Sequence, residues 1–331
     1  MKTQVLGEEH YADTMIKMVE PYVNKRAAEL FLEREEGHPI HCVRYRAVRP
    51  KGVVMICHGF TENAEKYKEV VYYFLKEHYH VCIPEHCGHG KSYRLTQDPS
   101  LVHVDCYQRY VEDFLFAAEK MKEEAGTLPM FLYGHSMGGG IGAAAVAKAP
   151  ELFQKVILSS PMIRPLTGKV PWSDARRIAA CNCITGRSER YVAGQKPYSG
   201  TDSFESSSSL SKARFDYYQS KRKAEPLYQL NAASYGWLLA AAKLNRGLQK
   251  SAWKKITAPV LLFQAEQEHL VSNREQERFI RRLAYRMPGK AKLVRVPKTK
   301  HEIFNAGSRV QKGYWNMVFD YLSCTPVKKP L

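Results

Sequence analysis

The chain has 331 residues, 44% of them hydrophobic and 25% charged, and carries a formal net charge of +17 at pH 7. That composition supplies a large core and excludes a disordered or fibrous chain. No stretch reaches the roughly 18 uninterrupted apolar residues of a membrane span. Residues 1–25 have early acidic side chains and no apolar signal-like run, so a cytoplasmic protein is expected.

Ala27 to Glu35 and His41 to Val48 alternate apolar and polar side chains about a turn at Glu36-Gly37, the pattern of an opening hairpin. Gly52 to Cys57 and Val81 to Pro84 are short apolar strands, with a helix near Glu65 to Glu77 between them. Val104 to Glu124 places Val104, Tyr107, Val111, Phe114 and Met121 at helical spacing, which predicts an amphipathic helix. Met130 to Tyr133 reads as a buried strand, Ile141 to Lys148 as a helix and Lys155 to Ser159 as another strand. Pro259 to Ala265 and Ala291 to Val296 read as late strands, and Ser308 to Leu322 closes the fold as a helix. Strands alternating with helices imply an α/β fold with a mostly parallel central sheet and helices on both faces.

Residues 160–258, about 100 in all, separate the strand ending at Ser159 from the one starting at Pro259, far beyond a usual two-to-six-residue connection. The excess is expected to form a cap over the C-terminal edge of the sheet, where sites of such folds lie. The expected organisation is a core over 1–161, a cap over 162–250 and the rest of the core over 251–331. The first half of the cap is rich in Gly, Ser and Pro, with Ser206 to Ser209 its flexible point; its second half, near Pro226 to Leu248, reads as helical, with Trp237, Leu238 and Leu239 apolar.

Between the strand at Met130–Tyr133 and the following helix stands Gly134-His135-Ser136-Met137-Gly138. A serine on so sharp a turn needs small neighbours, which Gly134 and Gly138 supply, and the helix start aims free N–H groups at any anion formed there. Ser136 is therefore read as a nucleophile. A serine needs a base and an acid that orients it, expected later in the chain. His301 follows the last strand, and the loop after the strand ending at Ala265 offers Glu266 and Glu268.

In these contexts Ser136, Glu268 and His301 resemble the α/β-hydrolase superfamily over nearly the whole chain. Cys57-His58-Gly59-Phe60-Thr61-Glu62-Asn63 resembles its oxyanion loop after the third strand, and Cys87-Gly88-His89-Gly90-Lys91-Ser92 its turn after the fourth. Lys300-His301-Glu302-Ile303-Phe304-Asn305 is similar to the histidine segment of bacterial lysophospholipases and monoacylglycerol lipases. The stretches Val104 to Asp113 and Ala233-Ser234-Tyr235-Gly236-Trp237 are most similar to the lysophospholipase branch. Three positions depart from the family pattern: Glu268 stands for the usual Asp, Ala265 for a Gly and Cys87 for an Arg. The spacing of the resemblance favours Glu268 over Glu266 as the acid. Oxyanion donors are expected from the backbone N–H groups of Met137 and Phe60.

The resemblance implies a serine carboxylic-ester hydrolase of single-chain lipids, lysophospholipids first and monoacylglycerols or simple esters next. An aminopeptidase of the proline-iminopeptidase type and a non-catalytic binding protein are the other readings. No cofactor is expected. Cys82, His86, Cys87 and His89, and separately Cys181 and Cys183, lack the paired spacing of a zinc site, so no metal is expected. Cys42, Cys57 and Cys82 on apparent strands suit buried reduced thiols. The cap holds 15 Lys plus Arg against 6 Asp plus Glu, a net +9 that includes Lys221, Arg222 and Lys223. Without a nucleic-acid-binding motif, this charge suggests peripheral contact with an anionic membrane surface rather than with nucleic acid. The sequence sets no oligomeric state.

Overall fold

Val53–Cys57 and Met130–His135 have no polar face to turn to water, so they persist as strands only when covered on both sides. The structure, a computed structural model, describes residues 4–200 and 202–323 and builds its core on such strands. The chain opens with α1 (Tyr11–Thr14), a π-helical turn (Met15–Val19) and α2 (Glu20–Asn24). The hairpin β1 (Ala27–Glu33) and β2 (Pro39–Tyr45) pairs antiparallel, Ala27 opposite Tyr45 and Glu33 opposite Pro39. Then come β3 (Gly52–Cys57), a 3₁₀ turn (Ala64–Tyr67), α3 (Lys68–Lys76), β4 (Tyr79–Pro84), β5 (Leu101–Val102) and α4 (Tyr107–Ala125). β6 (Met130–His135), α5 (Ser136–Lys148) and β7 (Lys155–Ser159) complete the first part. The long connection holds α6 (Trp172–Ile184), α7 (Lys212–Ala224), β8 (Ala232–Ala233) and α8 (Tyr235–Lys250). β9 (Val260–Ala265), α9 (Asn273–Arg286), β10 (Ala291–Val296) and α10 (Ser308–Ser323) end the described chain.

Eight strands form one sheet in the order β1-β2-β4-β3-β6-β7-β9-β10. β1, β2 and β4 pair antiparallel; every other neighbouring pair is parallel. Alternation along β3 divides the core. Val53, Met55 and Cys57 face α4, α5, α8 and α9, whereas Val54 and Ile56 face α3, α10 and the N-terminal helical stretch. Parallel strands all end at one edge, and Cys57, His135, Ala265 and Val296 stand there together. Among the described residues no helix is long and apolar enough to cross a membrane.

Several expected boundaries move. α4 begins at Tyr107: Val104 is buried in the preceding coil, so its periodicity reflects burial rather than helix. α5 begins at Ser136 rather than Ile141, because packing overrides the poor helix propensity of three consecutive glycines. The expected helix at Glu65–Glu77 is a 3₁₀ turn running into α3. The part of the long connection before Pro226 contains two helices, α6 and α7, that the Gly-, Ser- and Pro-rich loops around them concealed. The rest of the connection is not continuously helical, since β8 pairs parallel with β5 in a separate two-stranded sheet. Ser206–Ser209 is anchored rather than loose: Ser209 Oγ donates to Asn305 O at 3.0 Å, and Ser208 O accepts Glu302 N–H at 3.1 Å.

Candidate active site

β6 passes into α5 without a loop, and Ser136 at the junction has φ +52°, left-handed and rare for a side chain with a Cβ. Close packing holds the turn. A Cβ on Gly138 would lie 2.0 Å from the Cys57 carbonyl oxygen, and one on Gly134 2.9 Å from that of Gly138. The N–H of Met162 donates to Ser136 O at 2.7 Å and fixes the peptide. Met137 follows in the first turn of α5, where a helix leaves its N–H groups without intrahelical partners.

His301 lies in the loop after β10, and its Nδ1–H donates to Glu268 Oε2 at 2.7 Å. The other Glu268 oxygen accepts the N–H groups of Leu270 at 2.8 Å and Val271 at 3.2 Å. Burial pushes the Glu268 carboxyl upward, but the His301 bond and charge with these two donors hold it below its ordinary value. His301 Nε2 is buried and has no hydrogen-bond partner among the described residues, which leaves it available for a hydroxyl proton. Glu266 is exposed and points elsewhere, accepting Lys298 N–H at 2.7 Å.

Behind this pair stands a charged cluster that no local motif announces. Gly59 N–H and Tyr67 O–H both donate to Glu62 Oε2, at 2.5 and 2.6 Å. The Lys66 ammonium sits 2.9 Å from Glu62 Oε1 and 2.7 Å from Glu302 Oε1, and Asn305 Nδ2 donates to the other Glu302 oxygen at 2.7 Å. Burial opposes both carboxylates, but the neighbouring ammonium brings each below its ordinary value. Glu62 and Lys66 are four residues apart and legible as a pair; Glu302 joins them only through tertiary structure. His135 is buried between these groups, its ring centre 5.0 Å from that of His301, and burial pushes it down to about 4. It is neutral at physiological pH.

Ser136 and Phe60 line a cavity of about 380 Å³. Met162, Trp237, Leu238 and Val271 contribute to its wall, and none of its lining residues is Asp, Glu, Lys, Arg or His. Leu166, Val170, Ile178 and Leu270 line it too and remain 43–44% exposed, so they form its mouth. A second, polar cavity of about 190 Å³ lies against Thr61, Tyr218 and Glu302. Its cations are already engaged: Lys66 as above, Arg214 with Glu69 at 2.7 Å, and Arg222 with Asp202. Arg222 is thus buried and structural rather than part of a free basic surface, and Lys221 pairs with Glu20 at 2.5 Å.

Cys42, Cys57 and Cys82 are buried free thiols on β2, β3 and β4. His86 and His89 join His58 in a buried group of imidazoles with ring centres 4.3–5.9 Å apart. Among the described residues no group of three or more His, Cys, Asp or Glu side chains is arranged to hold a metal ion.

A sheet of this strand order, with the serine elbow at the end of its fifth strand in space, defines an α/β-hydrolase. The chain belongs to the Hydrolase_4 family, serine aminopeptidase S33, whose pattern matches residues 48–306. It is 28% identical over 271 residues to the probable lysophospholipase L2 of Haemophilus influenzae, covering 82% of this chain and 83% of that one. It is also 28% identical over 248 residues to lysophospholipase L2 of Escherichia coli K12, covering 73% and 71%. Among solved structures, a soluble variant of Saccharomyces cerevisiae monoglyceride lipase superposes with a TM-score of 0.70 at 19% identity, covering 90% of this chain and 95% of that one.

Proposed function

We propose that the protein is a serine carboxylic-ester hydrolase of single-chain lipids, with lysophospholipids its foremost substrates. The observation that carries this reading is the uncharged, largely apolar cavity with Ser136 in its wall, which suits an acyl chain and offers nothing to a cation. The names of the two bacterial lysophospholipases support it. Ser136 Oγ attacks the ester carbonyl while His301 Nε2 takes its proton, and Glu268 holds the imidazolium that forms. The N–H groups of Met137 and Phe60 receive the oxyanion. On collapse the C–O bond to the alcohol breaks and His301 returns the proton to the leaving oxygen; water then releases the acid by the same steps.

Residues 162–250 act in this reading as a cap that supplies the outer wall of the acyl cavity. Its apolar mouth is accompanied by exposed Lys169, Arg176 and Arg177, which suits peripheral contact with an anionic lipid surface. Aminopeptidase action is disfavoured because a cationic amino terminus needs a carboxylate, which the cavity lining lacks. The test is a hydrolysis panel of lysophosphatidylcholine, monoacylglycerol, nitrophenyl esters and aminoacyl anilides, with Ser136→Ala as control. Release of fatty acid from the lysolipid by wild type alone is the expected result. Turnover of anilides without esters would overturn the reading.

A further inference from the structure

Among the described residues, one side chain from the inserted segment touches both residues assigned as oxyanion donors. Trp237 on α8 is 7% exposed; its Nε1–H donates to Met137 Sδ at 3.2 Å, and its ring centre lies 4.6 Å from that of Phe60. Met137 comes from the β6–α5 elbow and Phe60 from the loop after β3, so their relative placement is not set by local sequence.

We propose that Trp237 is a positioning residue for the oxyanion hole, holding Met137 and Phe60 at a fixed separation. The inference rests on the ester-hydrolase reading above. The thioether is a weak acceptor, and an indole N–H in a dry wall has few other partners, so the contact orients both groups. The Trp237 backbone is itself over-determined. Ser234 Oγ caps α8 by accepting Trp237 N–H at 3.0 Å and bonds His103 Nδ1 at 2.9 Å. A Cβ on Gly236 would fall 2.6 Å from the His103 ring, so only glycine lets the helix start this close. Pairing of β8 with β5 ties the preceding residues to the core. Ser234-Tyr235-Gly236-Trp237 is therefore a mount for one indole. Because a donor must lie about 2.7–3.1 Å from the developing oxyanion, small displacements of either peptide cost rate rather than binding.

The experiment compares Trp237→Phe, which keeps an aromatic ring and loses the N–H, with Trp237→Leu, which loses both contacts. Each is assayed on nitrophenyl acetate, whose acyl group is too short to need the cavity, and on a long-chain lysolipid. The rate at which a small fluorophosphonate labels Ser136 is read alongside. We expect kcat on the acetate to fall about 10-fold for Phe and about 100-fold for Leu, the first below and the second at the lower end of the roughly 10²–10³-fold cost of losing an oxyanion donor outright. KM for the acetate should hardly move, and labelling should slow in parallel. Met137→Leu, which removes the sulfur acceptor, should mimic Trp237→Phe, and the double variant should be no worse than either. A loss confined to the long-chain lysolipid would make Trp237 a mere wall of the acyl slot and overturn the proposal, as would additive losses in the double variant. If wild type is labelled but hydrolyses no ester, the proposed function falls, and the labelling rates alone still decide the role of Trp237.

Discussion

Lys66 and Glu302, 236 residues apart in the chain, meet in a 2.7 Å ion pair directly behind the candidate catalytic histidine. The same ammonium binds Glu62, whose carboxylate holds the Gly59 N–H next to Phe60. One cation thus joins the loop bearing a candidate oxyanion donor to the loop bearing His301. Lys66→Met would leave two buried carboxylates uncompensated, and removing one partner of a buried pair typically costs about 3–5 kcal/mol. A lower urea midpoint is expected, with Lys66→Arg recovering part of it. Equal stability of Lys66→Met and wild type would show the cluster to be incidental.

Acid should destabilise the fold earlier than carboxylate titration alone requires. Burial lowers His58, His86 and His89, and brings His135 to about 4. Their unfolded values lie near 6.5, so between these limits the unfolded chain binds protons that the folded chain excludes. The stability these imidazoles contribute is complete above about pH 6.5 and is lost as pH falls toward their folded values. Glu62, Glu268 and Glu302 add a second loss from the ordinary carboxylate range downward, because all three are held below it in the fold. Melting temperature followed from pH 7.5 to 4 is expected to start falling below about pH 6.5. A flat profile down to pH 5 would contradict this.

The two acids after β9 should separate cleanly in kinetics. Glu268→Gln keeps the shape but no longer stabilises an imidazolium or selects the Nδ1–H tautomer, and such changes cost about 10⁴-fold in kcat. Glu266→Gln, at an exposed site whose carboxylate accepts Lys298 N–H, should change kcat less than about twofold. The reverse order of effects would move the acid to Glu266.

Membrane contact can be probed without touching the buried arginines. Lys169, Arg176 and Arg177 are exposed and adjoin the mouth residues Val170 and Ile178 in the chain, so reversing all three to Glu should weaken binding to anionic vesicles. The difference from wild type should shrink as salt rises, since screening at physiological ionic strength acts over about 8 Å. Hydrolysis of nitrophenyl acetate should be unaffected. Unchanged vesicle binding at low salt would rule these residues out as the contact.

What the sequence determined by itself was the part of the molecule whose causes are local. The elbow at Ser136 could be read because an apolar strand, small residues at Gly134 and Gly138, and a helix must succeed one another within a few positions. The opening hairpin and the parallel strands were legible from alternation and from runs buried on both faces, and His301 was a candidate from its place after the last strand. Tertiary structure decided the rest. α6 and α7 are themselves rich in Ala, Arg and Lys, good helix formers, and went unread because the Gly-, Ser- and Pro-rich loops around them dominate the composition of that stretch. Glu268 rather than Glu266 reaches His301 because the loop turns one carboxylate inward, which spacing alone could not establish. Arg222 left the basic surface for Asp202, Ser206–Ser209 was pinned beneath Asn305, and Trp237 came to bridge Met137 and Phe60. Each of these depends on partners tens to hundreds of residues away, where the geometry of the whole fold, and not the neighbouring sequence, sets which groups meet.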